Sequence, residues 1–378
     1  MSTATHPSGP EDPTMTLTNS TPDDPHAVFA RPELGEPLLK VRDLQVAFPT
    51  EDGLVRAVNS LSYDVHAGRT LAVVGESGSG KSVSTMAVMG LHDPKRTRMS
   101  GSILLDGREM VGASQSQFRK IRGNVASMIF QDAQSSLHPY KRVGDQIVEA
   151  YRVHHNVSRS KGMARAVEML DRVGIPNPQK RARQYPFEFS GGMRQRAMIA
   201  LGLVNDPKLL IADEPTTALD VTVQAAILDL LKELQDEYGS AIILITHDLA
   251  VVAEVAHDTL VMYAGRGVER GDTKEVLADP RHPYTRGLLG SVPSISETVG
   301  DELRPIKGAP PSLTHLPSGC SFNPRCEFAS MVPEDRCRTD VPGLTVPPGT
   351  DHRLVRCHLS AMGVDISTVD PTPQETLR

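Results

Sequence analysis

Two short stretches of this sequence bring together residue types that handle phosphate. The first is GESGSGKS, Gly75 to Ser82. It follows an apolar run, Leu71 to Val74, and opens a stretch with helical spacing, which is the context a phosphate-cradling loop requires. Gly75, Gly78 and Gly80 let the backbone turn sharply and approach phosphate oxygens without a Cβ in the way. The loop's N–H groups, those of Ser77 and Ser79 included, and the start of the helix then present partial positive charge. Lys81 is placed to reach the β- and γ-phosphates, and Ser82 to ligate Mg²⁺. The second stretch is LLIADE, Leu209 to Glu214. Four apolar residues followed by two carboxylates suit a buried strand ending at a catalytic edge. Asp213 is expected to hold Mg²⁺ through its water shell, and Glu214 to act as the general base that polarises an attacking water.

These side chains need a sheet to carry them. Leu38 to Tyr63 alternates imperfectly and predicts antiparallel strands. Val223, Ile227, Leu230, Leu231 and Leu234 share one helical face, Gly239 is a C-cap candidate, and AIILITH follows as a strand. Alternating β and α units around buried strands imply an α/β fold with a mostly parallel sheet and helices packed on it. Between Gln131 and Ser190 the pattern turns helical and more polar, which reads as a lobe inserted at about residues 132–190. Residues 1–37 are rich in Pro, Ser, Thr and Asp without periodicity and are expected to be disordered. After residue 290 Pro becomes frequent and strands become hard to place; residues 359–378 read as a second tail.

Composition narrows the function. A net charge of −6 argues against a surface built for nucleic acid, which needs clustered Lys and Arg. No apolar run approaches the ~18 residues of a membrane span, and no signal peptide is apparent. The expected location is cytoplasmic, reaching a membrane only through partners.

Three further features join the two phosphate motifs in a fixed order: Gln131 after the apolar VASMIF, FSGGMRQR from Phe189 to Arg196, and His247 closing AIILITH. Together the five resemble the ATP-binding cassette (ABC) ATPases over roughly residues 38–290. The resemblance implies a P-loop ATPase core with an antiparallel β subdomain. In it Gln131 senses Mg²⁺ and the attacking water, and His247 contacts the γ-phosphate and orients Glu214. Phe48, in VAF, matches the aromatic that stacks on adenine, an ordinary core Phe being the rival reading. FSGGMRQR departs from the commonest signature, with Phe189 where Leu is usual and Met193 where Gln is usual. Ser190, Gly191 and Gly192 are retained, and in cassette ATPases they close over ATP held on a partner's P-loop. Asp220 ends TTALD, similar to the loop that crosses that interface. A second cassette is therefore implied, from another chain and preferably a different one.

HPYTRGLL from His282, IKGAPPSL and LPSGCSFNPRC resemble the C-terminal extension of oligopeptide and dipeptide importer ATPases, which carries the resemblance to about residue 358 and implies an extension at residues 291–358. The family implies docking on two transmembrane permeases at the cytoplasmic face of the cell membrane, with an external peptide-binding protein. An importer of nickel or another small solute is the nearest alternative. A translation or repair cassette lacks support, since neither a second cassette nor a long coiled coil is present. The four cysteines are spaced Cys320-x5-Cys326-x10-Cys337-x19-Cys357. Disulfides do not suit a reducing compartment, and the close C-x₂₋₄-C pairs usual for zinc are absent. Four thiolates can ligate an iron–sulfur cluster, and the resemblance implies a structural four-iron four-sulfur cluster, with zinc and unligated thiols left as alternatives.

Overall fold

The structure is a computed structural model that describes residues 31–131, 136–217, 220–291 and 306–369. Two sheets face each other. The first is antiparallel, in the order β2-β1-β4-β5: β1 (Leu39–Thr50), β2 (Gly53–Val65), β4 (Arg98–Leu105) and β5 (Arg108–Glu109). The second contains β3 (Thr70–Val74), β6 (Ala126–Ile129), β7 (Leu209–Asp213), β8 (Ala241–Ile245), β9 (Asp258–Tyr263), β10 (Arg266–Asp272) and β11 (Leu354–Val355), in the order β11-β10-β9-β3-β8-β7-β6. From β9 to β6 the pairings are parallel, and β10 and β11 add antiparallel edges. The predicted mostly parallel sheet is thus present.

Its central strands are buried on both faces, because TLAVV, LLIAD and AIILI carry almost no polar side chain to turn outward. One face packs on the antiparallel sheet through Leu39, Val41, Leu61, Ile103, Ile211 and Ile243. The other packs on helices. In chain order the helices are α1 (Lys81–Val88), α2 (Gln115–Ile121), α3 (Val143–His154), α4 (Arg159–Arg172), α5 (Pro178–Arg181), α6 (Gly191–Leu203), α7 (Val221–Tyr238), α8 (Leu249–Val255), α9 (Thr273–Ala278) and α10 (Pro283–Leu289). α3 to α5 form the expected lobe, whose apolar side shares a core with α6 and α7. α7 ends where Gly239 turns left-handed at φ 65°, accepting the role its sequence position predicts.

The C-terminal region corrects the sequence reading. β11 pairs with β10, so the extension continues the central sheet. Glu269 on β10 and Arg353 beside β11 form an ion pair at 2.5 Å with exposures of only 0% and 2%. Glu269 also accepts from the N–H groups of Arg281 and His282, which meets the hydrogen-bonding demand of a charge so deeply buried. A helical turn, His358–Ala361, runs into the span read as a tail, and the fully buried Ile366 lies within it. Sequence periodicity could not reveal this, since the extension has too few regular turns to show a period. At the other end, Arg31 pairs with Asp258 at 2.5 Å, so the last residues of the supposed N-terminal tail rest on the sheet. Residues 1–30, 132–135, 218–219, 292–305 and 370–378, which carry the rest of those expectations, lie outside the described residues.

Candidate functional site

β3 runs straight into the glycine loop, and α1 leaves it. Gly75 has φ 150° and a Cβ there would collide with the Met262 carbonyl; Gly80 has φ 98° and a Cβ would strike the carbonyl of Ala57. Both positions therefore accept only glycine. α1 has no capping side chain at its N-terminus, so its first-turn N–H groups are left for a ligand. Lys81 Nζ bends back to donate to the carbonyls of Gly75 at 2.7 Å and Glu76 at 3.0 Å. Burial lowers the pKa of this ammonium, opposed by the carboxylates of Glu214, Asp213 and Glu76. Burial likewise raises that of the Asp213 carboxyl, opposed by a hydrogen bond from Ser82.

The parallel strands deliver the remaining groups to one edge, as expected for open α/β sheets. Asp213 ends β7 and Glu214 follows with φ 48°, a left-handed turn fixed by its N–H donating to Ile245 at 2.9 Å. Glu214 is a hub. Its Oε2 accepts from Gln131 Nε2 at 2.8 Å and from Thr217 Oγ1 at 2.9 Å, and its Oε1 lies 3.4 Å from His247 Nδ1. Three residues singled out separately in the sequence are thus brought together. Thr217 was missed, and the signal for it was available: a hydroxyl three residues after a catalytic-type carboxylate, inside TTALD.

Phe48 lies on β1 opposite Val55, near the β1–β2 turn, partly buried on the inter-sheet core and edge-on to the His92 ring at 5.5 Å. Ser190 caps α6 by accepting from Met193 N at 3.3 Å, and Asp220 caps α7 by accepting from Val223 N at 3.0 Å. Nothing lies within 4 Å of a Cβ placed on Gly191. Among the described residues no hydrogen bond or ion pair joins Ser190, Gly191 or Gly192 to the glycine loop of the same chain.

Comparison with known proteins agrees with this geometry. A family model described as "ABC transporter" matches residues 58–217, and one described as "Oligopeptide/dipeptide transporter, C-terminal region" matches residues 268–332. An oligopeptide transport ATP-binding protein of Escherichia coli is 51% identical over 295 residues, 78% of this chain and 87% of that protein. Its counterpart in Haemophilus influenzae is 48% identical over 326 residues, 86% of this chain and 98% of that protein. The chain belongs to the ATP-binding subunits of oligopeptide/dipeptide ABC transporters. Among solved structures, a dimeric bacterial ABC transporter cassette superposes with a TM-score of 0.56 at 25% identity, covering 62% of this chain and 98% of that one. This oligopeptide-type ABC ATPase is accordingly an ATP-binding, ATP-hydrolysing subunit. Among the described residues no helix is long and apolar enough to cross a membrane.

In this ATPase the extension carries the four free cysteines in one apolar cluster with Phe322, Phe328 and Tyr284. Burial pushes Cys357 up to about 11 and Cys337 up to about 12, and the thiols raise one another further. The guanidiniums of Arg266 and Arg356 bear on Cys320. Among the described residues no three of His, Cys, Asp and Glu converge tightly enough to hold a metal ion. The thiols stand near one another but do not make a ready-formed site, so the iron–sulfur expectation is not carried by this geometry.

Sequence reasoning also missed Glu76, Tyr284 and Arg325. Arg325 forks onto the Glu76 carboxylate at 2.7 and 3.0 Å, and the Tyr284 hydroxyl accepts from the Glu76 N–H at 2.8 Å. A carboxylate inside a phosphate loop was itself a signal, since it demands a cation from elsewhere in the fold.

Proposed function

We propose that this chain is one cassette of a pair that powers peptide uptake, binding MgATP on its own glycine loop and completing the partner's pocket with Ser190, Gly191 and Gly192. The observation that carries the catalytic reading is the convergence of Gln131, Thr217 and His247 on Glu214 at the strand edge beside Lys81. Gln131 and His247 aim the Glu214 carboxylate at the attacking water. As the water oxygen bonds to the γ-phosphorus and the bond to the β-bridging oxygen breaks, Glu214 takes the proton, and ADP leaves with phosphate. Lys81 stays cationic beside the phosphates and offsets the charge that develops there. Ser82 and Asp213, joined by a hydrogen bond, are the oxygens that would hold a Mg²⁺, an ion that asks the protein for only one or two ligands and would supply positive charge against the phosphates. Phe48, on β1 near the hairpin turn, supports the adenine.

Residues 38–290 are the cassette, with the lobe at 132–190 as the face that meets two permeases. An external binding protein selects the peptide. The chain then sits at the cytoplasmic face of the membrane. Paired closure with ATP and release after hydrolysis supply the motion. A partner of different sequence is favoured. Buried Cys326, Cys337 and Cys357 and the partly exposed Cys320 supply four thiols of the kind a structural four-iron four-sulfur cluster takes, with two guanidiniums alongside that would offset its anionic charge. Binding it would require the thiols to draw together and lose their protons.

The test is uptake of a labelled oligopeptide by vesicles holding the full transporter with internal ATP. Uptake should follow ATP hydrolysis and stop in Glu214→Gln. Hydrolysis without any response to peptide-loaded binding protein would overturn the peptide reading.

A further inference from the structure

We propose that Arg325 is a positioning residue for the phosphate loop, and that through it the cysteine-bearing extension sets how tightly ATP is held. The inference rests on the reading that the Gly75–Ser82 loop binds ATP. Glu76 is the second residue of that loop, and a carboxylate there has two harmful options. It can repel the phosphates, or it can draw off Lys81, whose ammonium already donates to the Glu76 carbonyl at 3.0 Å and feels the Glu76 charge.

The fold closes both options from the far end of the chain, 249 residues away. Both Glu76 carboxylate oxygens are taken by the Arg325 fork, at 2.7 and 3.0 Å. A bidentate, charge-assisted pair of this kind fixes direction as well as charge. The guanidinium is itself fixed: its Nε donates to the Lys307 carbonyl at 2.9 Å, Nη1 reaches the Tyr263 hydroxyl at 3.3 Å, and the side chain is 6% exposed. The rings of Tyr263 and Phe322 lie 5.8 and 5.9 Å from its centre. Tyr284, on α10, meanwhile holds the backbone of Glu76 at its N–H. The loop's acidic residue is therefore gripped at its carboxylate by the extension and at its backbone by α10, the last helix of the cassette.

Arg325 also ends the single turn Asn323–Arg325, directly before the buried Cys326 and five residues after Cys320. Whatever state the thiols adopt, the guanidinium moves with their loop. Nucleotide affinity and cysteine-loop geometry are thus joined through one ion pair.

The experiment measures the KM for ATP and kcat of the assembled transporter. In Arg325→Ala the KM should rise on the order of tenfold, because an unpaired, half-buried carboxylate is left beside the phosphates. The kcat should stay within a factor of about three, since Glu214 and its partners are untouched. Adding Glu76→Gln to Arg325→Ala should recover most of the lost affinity by removing that charge. Arg325→Lys keeps the charge but loses the fork, and should fall between. If Arg325 only anchors the extension, Arg325→Ala will lower the melting temperature while KM stays at the wild-type value, or Glu76→Gln will give no rescue; either result overturns the proposal. Should Arg325→Ala fail to assemble, Arg325→Lys decides, an unchanged KM counting against it. A wild-type transporter that bound no ATP would instead sink the reading of the loop itself.

Discussion

At the scale of single residues, the proposed chemistry rests on Glu214, whose two oxygens are shared among Gln131, Thr217 and His247. Glu214→Gln keeps the shape of this hub and removes its basicity. ATP binding should persist while single-turnover hydrolysis falls by roughly 10²–10⁴; normal turnover would remove the base assignment. Thr217→Val deletes one of the hub's hydrogen bonds without touching the base. Its effect should be smaller, about tenfold or less on kcat, consistent with the loss of one oriented partner. These residues were legible because each closes an apolar strand, and a parallel sheet sends all such ends to one edge. Thr217 and Arg325 were less so. A hydroxyl inside a turn and an arginine in a Pro-rich stretch acquire meaning only when the fold shows which carboxylate each one meets.

At the scale of elements, the extension behaves as an added edge of the sheet. The Glu269–Arg353 pair joins β10 to the segment carrying β11 with both side chains out of water. Arg353→Met strands the Glu269 charge and should destabilise the protein by about 3–5 kcal/mol, seen as a lower denaturation midpoint. Beside this pair, His282 is fully buried, its pKa pushed down to about 3 by desolvation, and its Nδ1 accepts from Tyr284 N at 3.1 Å to cap α10. The folded protein keeps this ring neutral, whereas the unfolded chain binds a proton below about pH 6.5. Stability should therefore decline as pH falls from about 6.5 toward 3. His282→Asn keeps a capping acceptor without the titration and should flatten that part of the melting profile. A profile identical to wild type would dismiss His282 as its source. β1 to β3, β6 to β8, the lobe and α7 could be read from apolar runs and periodicity, because burial imposes them. The extension could not, since it is held by a few specific polar contacts and short turns, and such contacts leave no repeating pattern in a sequence.

At the scale of the whole molecule, the signature residues make no hydrogen bond to their own phosphate loop among the described residues. Ser190 caps its helix, Gly191 is unobstructed, and neither bonds to Gly75–Ser82 of the same chain among the described residues. Under the proposed pairing, Ser190–Gly192 serve the nucleotide held by a second cassette. Ser190→Arg should then leave ATP binding by this chain intact while hydrolysis at the partner's loop fails. The most direct measurement is ATP turnover per chain, followed by dilution while sedimentation reports mass, with and without the partner ATPase subunit. A chain that contributes half of each pocket should lose turnover as it becomes monomeric and regain it when the partner is added. Full-speed hydrolysis by a preparation shown to be wholly monomeric would contradict the account.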